Sequence, residues 1–178
     1  TSVLGVYSAT LLPQKPLAAA RLQNKLYVAL GESGLGALSL DTPETVDSEI
    51  SIIQDVGRNV SVIDVISSPI TNQLFVLTAN SKLDVFTSED NTLTFSESKN
   101  ISQRLSDLFI DEDRLWGASE RGDLFEITGN GLGRKVGTIN EKIETVKFWN
   151  GYTFVRSVSG KLWYSKNREP LTSWKTDT

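Results

Sequence analysis

A fifteen-residue pattern occurs four times in this chain, and no other feature limits its fold as strongly. LYVALGESGLGALSL begins at Leu26, LFVLTANSKLDVFTS at Leu74, LWGASERGDLFEITG at Leu115 and TFVRSVSGKLWYSKN at Thr153, which places the copies 48, 41 and 38 residues apart. They align without a gap. The second position is aromatic in every copy (Tyr27, Phe75, Trp116, Phe154), and the tenth is always Leu (Leu35, Leu83, Leu124, Leu162). The intervening turns GESG, ANSK, ERGD and VSGK are built from residues that tolerate positive φ or hydrogen-bond their own backbone, as tight hairpins require. Apolar alternation resumes after each turn and puts Leu83 with Val85, Leu124 with Glu126 and Leu162 with Tyr164 on one strand face. No sustained period near 3.6 is present, so a helical solenoid is excluded.

Each hairpin is flanked by two further apolar segments. PLAAARL, VSVIDVI, RLSDLFI and IETVKFW precede the four copies, and EISIIQDV, NTLTFSES, GRKVGTI and LTSWKTD follow them. Four strands in a unit of about 42 residues is the composition of a β-propeller blade. A β-sandwich also has short strands at regular intervals, but nothing in it requires the same aromatic and Leu positions four times. The expectation is therefore an all-β fold, a β-propeller or propeller segment of about four four-stranded blades. It is one domain over residues 1–178, with repeats near 10–56, 57–99, 100–140 and 141–178, standing alone or within a longer propeller. The repeated aromatic and Leu side chains are expected to pack between blades. VLGVYSA, residues 3–9, is a candidate extra strand to seal the ring against the last blade.

The pattern in RLWGASERGDLFEI resembles blades of quinoprotein-like, lactonase-like and WD-repeat propellers, and the resemblance extends over most of the chain. The Gly-His and Trp-Asp pairs of the WD repeat are missing. LYVALGESGLGALSLDTPE is similar to repeats in which a strand pair precedes an Asp-Pro turn. The last repeat, WNGYTFVRSVSGKLWYSKNREPLTSWK, resembles the sialidase-type and photosystem-assembly-factor-like blade that ends in an Asp-box. Ser165 and Trp174 match, Asn167 stands for the Asp, Glu169-Pro170 replaces the Gly, and the Trp comes two residues late. The resemblance implies a blade-folding element and no catalytic residue.

Composition narrows the chemistry. The 178 residues include no Cys and no His, which excludes disulfides, thiolate nucleophiles, Ser-His-Asp triads and the usual zinc sites. The net charge is −4 and the Lys and Arg residues are scattered, so neither nucleic acid nor membrane insertion is expected. A sialidase-type site would need clustered arginines, a Tyr nucleophile and an acid. Arg58, Arg104, Arg121, Arg156, Tyr152 and Tyr164 supply the residue types, with no spacing to join them.

Two glycine- and acid-rich stretches read better as structure than as sites. GNGLGRK, residues 129–135, lacks the following helix that a phosphate-binding loop needs. Asp111, Glu112 and Asp113 lack the ligand alternation of a calcium loop and read as a strand-connecting turn, although they remain a candidate interaction surface. Trp149, Trp163 and Trp174 concentrate in the last quarter and are the other candidates, since aromatic side chains anchor many interfaces. The reading is a non-catalytic scaffold for protein–protein interaction, within a larger assembly. No metal or cofactor is expected, and the partners are proteins, among them further blades in the same or another chain. The alternative is part of a carbohydrate-binding or glycoside-hydrolysing propeller. Nothing in the sequence fixes a compartment.

Overall fold

The computed structural model of the protein describes residues 12–40, 50–53, 56, 60–111, 114–129, 131–166 and 169–173. Its elements are strands grouped in four antiparallel sheets, each of four strands in sequence order. The first sheet contains β1 (Ala18–Leu22), β2 (Lys25–Ala29), β3 (Leu35–Ser39) and β4 (Ser51–Ile52). The second contains β5 (Val62–Ser68), β6 (Gln73–Thr78), β7 (Lys82–Glu89) and β8 (Thr92–Asn100). The third contains β9 (Asp107–Asp111), β10 (Arg114–Ala118), β11 (Asp123–Thr128) and β12 (Gly131–Thr138), and the fourth β13 (Ile143–Trp149), β14 (Tyr152–Ser157), β15 (Leu162–Lys166) and β16 (Thr172–Ser173). The sheets follow one another around a ring as the blades of a four-bladed β-propeller. Their first strands lie innermost, β1 beside β5, β5 beside β9, and β9 beside β13.

The aligned hairpins form the middle of each blade. Tyr27 pairs with Ala37, Phe75 with Val85, Trp116 with Glu126 and Phe154 with Tyr164, so the aromatic and the post-turn strand meet in the same register every time. Strand alternation then sends each repeated aromatic and Leu to the face that looks toward the next blade, called here the forward face.

Three apolar clusters among the described residues lie between successive blades. Tyr27 and Leu35 of the first blade meet Val65, Leu74 and Val76 of the second. Leu83 and Phe75 of the second meet Leu108, Leu115 and Ile127 of the third. Trp116 and Leu124 of the third meet Val146 and Val155 of the fourth. The glycine-rich stretch at 129–135 runs into β12, so strands stand on both sides of it and no helix follows.

Polar side chains tie neighbouring blades as well. Ser67 Oγ donates to Arg21 O at 2.7 Å, and Gln23 Oε1 accepts from Ser88 Oγ at 2.9 Å, joining the first two blades. Asp64 Oδ2 accepts from the Leu108 N–H at 2.6 Å, joining the second and third. Burial pushes the Asp64 carboxyl up to about 6, with Asp107 adding to the rise, while the Leu108 and Val65 N–H groups and Lys142 oppose it.

Because each sheet is a meander, its second-to-third-strand turn and its link to the next blade lie at the same end. The turns at 30–34, 79–81, 119–122 and 158–161 share one rim with the links at 101–106 and 139–142. Gly122, at φ 81°, shows how closely this rim is packed: a Cβ there would stand 2.1 Å from the Glu141 carbonyl oxygen. The opposite rim carries the turns from first to second strand.

Candidate functional site

Trp149 sits on that opposite rim. It is the last residue of β13 and pairs with Tyr152 across the two-residue turn Asn150-Gly151. Both turn residues have positive φ, 47° and 82°, as a type I′ hairpin requires. The turn therefore fixes the direction of the indole, which is 69% exposed. Its pairing with Tyr152 puts it on the forward face of the fourth blade.

That face continues the repeat. Phe154 and Leu162 occupy the positions that Tyr27, Phe75 and Trp116, and Leu35, Leu83 and Leu124, hold on the first three blades, and they are half-buried. Tyr152 stacks on Phe154 with ring centroids 5.8 Å apart and lies 6.3 Å from Tyr164. Lys166 Nζ stands 5.4 Å from the centre of the Tyr152 ring, a cation–π contact. The result is an aromatic surface with basic residues at its edge. Trp163, one position from Leu162 and Tyr164, points the other way and packs on the cluster shared with the third blade. Trp174 lies outside the described residues.

Asp111 belongs to a tie between blades. Its carboxylate accepts from Lys147 Nζ at 2.8 Å and from the Phe148 N–H at 2.7 Å. Burial pushes its carboxyl up, but these two partners outweigh it and leave the pKa below the usual carboxylate value. Arg114 lies over the Phe148 ring at 3.7 Å and reinforces the same junction. Glu112 and Asp113 lie outside the described residues. Among the described residues, no group of three or more Asp, Glu, His or Cys is placed to hold a metal ion, and no helix is long and apolar enough to cross a membrane.

A cleft of about 580 Å³ opens on the first rim, where the second, third and fourth blades meet. Arg104 from the β8–β9 link and Arg121 from the β10–β11 turn line it, above Ile63 and the buried Leu105. Lys142 and Asp123 also line it, and both already have partners: Lys142 Nζ is 3.2 Å from Asp107, and Asp123 holds Lys135 at 2.6 Å and accepts from the Thr138 and Ser119 hydroxyls. These hydrogen bonds, led by Lys135, lower the Asp123 carboxyl to about 2. Of the arginines that a sialidase-type site would gather, Arg104 and Arg121 share this cleft. Arg156 is instead paired with Glu144 at 3.1 Å on the fourth blade, Tyr152 and Tyr164 are on that blade's forward face, and Arg58 lies outside the described residues. Sequence reasoning missed the cleft because its walls come from loops of different blades. The only local signal was a cation in each of two neighbouring loops.

Blade order, register and stacking define a β-propeller. No protein-family model and no curated protein sequence matches the chain. Solved structures do match it in fold. A chain of the mitotic checkpoint complex superposes with TM-score 0.62 at 15% identity, over 88% of this chain and 47% of the other. The β-propeller domain of Cps50 (Swd1) from Myceliophteria thermophila superposes with TM-score 0.60 at 11% identity, over 85% of this chain and 55% of that domain. The computationally designed Ika4 protein superposes with TM-score 0.59 at 9% identity, over 90% of this chain and 96% of the design. The chain thus spans about half the length of the checkpoint-complex chain and the Cps50 domain and nearly all of the designed protein. At these identities the likeness is one of fold.

Proposed function

We propose that this chain is a non-catalytic propeller scaffold that binds a protein partner within a larger assembly through the forward face of its fourth blade. The observation that carries this reading is Trp149, a 69% exposed indole held by a rigid hairpin at the margin of that face. Tyr152 and Phe154 stack beside it on the same face and are half-buried. The partner it suits is one that presents an apolar pocket to the exposed indole. A mostly exposed Trp beside other aromatics is the residue type that anchors interfaces, and truncating such an anchor costs about 2 kcal/mol or more. The mitotic checkpoint complex chain supports the reading by analogy, since it is a similar fold found within an assembly. Glycoside hydrolysis has no comparable support, because Tyr152 and Tyr164 lie on the fourth blade's forward face while Arg104 and Arg121 line the cleft on the first rim.

The test begins with the full chain isolated together with its native partner and reconstituted from purified components. Partner binding is expected to blue-shift tryptophan emission and to slow amide exchange in β13 to β15. Trp149→Ala is expected to weaken the complex at least tenfold with the thermal midpoint unchanged. Equal affinity in the variant, or no change in exchange over β13 to β15, would overturn the assignment of this face.

A further inference from the structure

The cleft on the first rim has a charge pattern that selects a ligand class. Among the described residues its carboxylate Asp123 is occupied by Lys135, and its ammonium Lys142 is occupied by Asp107. Among the described residues, Arg104 and Arg121 have no such partner. Both are exposed, they come from two different loops that line the cleft, and they carry delocalised guanidinium groups with donors arranged to grip a carboxylate two-pronged. Glu120 is the one lining carboxylate without a cation partner among the described residues, so the open charges sum to one positive in a chain whose net charge is −4. Ile63 and Leu105 add apolar lining and Gln103 a neutral amide, while the Ser106 and Ser119 hydroxyls already donate to Asp107 and Asp123. About 580 Å³ lies within the range of ligand clefts and accommodates a few residues of extended peptide.

We infer that this cleft binds an acidic peptide segment of a partner protein, with a Glu or Asp carboxylate held between Arg104 and Arg121 and a small apolar side chain on Ile63. The inference deepens the scaffold reading by adding a second contact, on the rim opposite Trp149. It depends on that reading for the partner being a protein. The two charges give specificity and encounter rate more than affinity, so binding is weak and salt-sensitive for an isolated peptide and strong only when joined to the second contact.

The probe is a labelled ten-residue peptide of alternating Glu and Ala, titrated into the full chain and followed by fluorescence anisotropy at low salt. The control is the same peptide with Gln for Glu. The expected result is saturable binding of the acidic peptide, at least tenfold weaker for the Gln peptide and for the Arg104→Ala/Arg121→Ala double variant. Raising the salt from 20 to 300 mM should weaken it by a similar factor. Both arginines are exposed, so the double variant should keep the wild-type thermal midpoint. The charge-retaining Arg121→Lys variant should bind with intermediate affinity, since it keeps the charge and loses the two-pronged grip. Equal binding of the Glu and Gln peptides, unchanged binding by the double variant, or full displacement by millimolar inorganic phosphate would each overturn the inference. Trp149→Ala must leave peptide binding intact. If the peptide fails while the native complex still depends on Trp149, only this inference falls; if the reverse holds, the fourth-blade assignment falls.

Discussion

Leu83→Ala tests the blade register directly. Leu83 is the invariant Leu of the second repeat, 0% exposed, on the forward face of its blade among Leu77, Leu105, Leu108 and Ile127. Truncation removes three carbons, worth about 0.8 kcal/mol each in lost transfer energy, or about 2.4 kcal/mol together. The cavity lies between two sheets whose backbones are fixed by their own ladders, so its walls cannot close fully. A residual void of about 60 Å³ at about 24 cal/mol per Å³ adds about 1.4 kcal/mol. The expected loss is thus about 4 kcal/mol. With a urea slope of about 2 to 3 kcal/mol per M, the unfolding midpoint should fall by about 1.3 to 2 M. Leu162→Ala supplies the internal comparison, because Leu162 is the same repeat position on the fourth blade and is only half-buried. It should cost about half as much, since burial and cavity are both smaller. Equilibrium unfolding followed by tryptophan emission measures both variants. A Leu83→Ala loss under about 1 kcal/mol, or equal losses at the two positions, would refute the proposed stacking of repeated positions between blades.

Asp64 should make stability fall as the pH rises. Its carboxyl is raised from an ordinary 3.8 to about 6, so the folded chain holds a proton that the unfolded chain releases between those values. Stability from this group is fully present below about pH 4 and is lost as the pH passes about 6. The loss is at most about 3 kcal/mol, from roughly two units at about 1.4 kcal/mol each. Urea titrations at pH 4 and 7 should show this slope in the wild type and its removal in Asp64→Asn; an identical slope in both would sink the assignment. Gly122→Ala should cost at least about 2 kcal/mol, because positive φ adds strain and the new Cβ meets the Glu141 carbonyl. Gly129→Ala, where a Cβ meets no atom within 4 Å, should be near neutral by thermal melting.

The repeat made the fold legible because blade packing is local in sequence and periodic in space. A hairpin's register follows from its turn and alternation, so Phe75 opposite Val85 and Phe154 opposite Tyr164 could be anticipated from one copy and checked in three others. The same alternation separates Trp149 from Trp163. Trp163 is cross-strand from Val155 and faces the third blade, while Trp149 is cross-strand from Tyr152 and faces forward.

The polar contacts between blades were not legible, because they join residues far apart in sequence whose approach depends on blade tilt. Asp111 looked like part of an acidic turn, yet its carboxylate reaches 37 residues ahead to the Phe148 N–H. Asp64, 44 residues before Leu108, gave no sign that it would be buried. Arg104 and Arg121 stood out only as two of four arginines of the right residue type, with no spacing to join them, among the chain's 18 basic residues. What distinguishes them is that Asp123 and Lys142 beside them are already paired with Lys135 and Asp107, a property that exists only after the blades have stacked. The repeated positions therefore specify the frame, while the candidate binding groups sit at positions the repeat leaves free to vary. That division is the physical reason a propeller's architecture can be read from one copy of its unit and its ligand chemistry cannot.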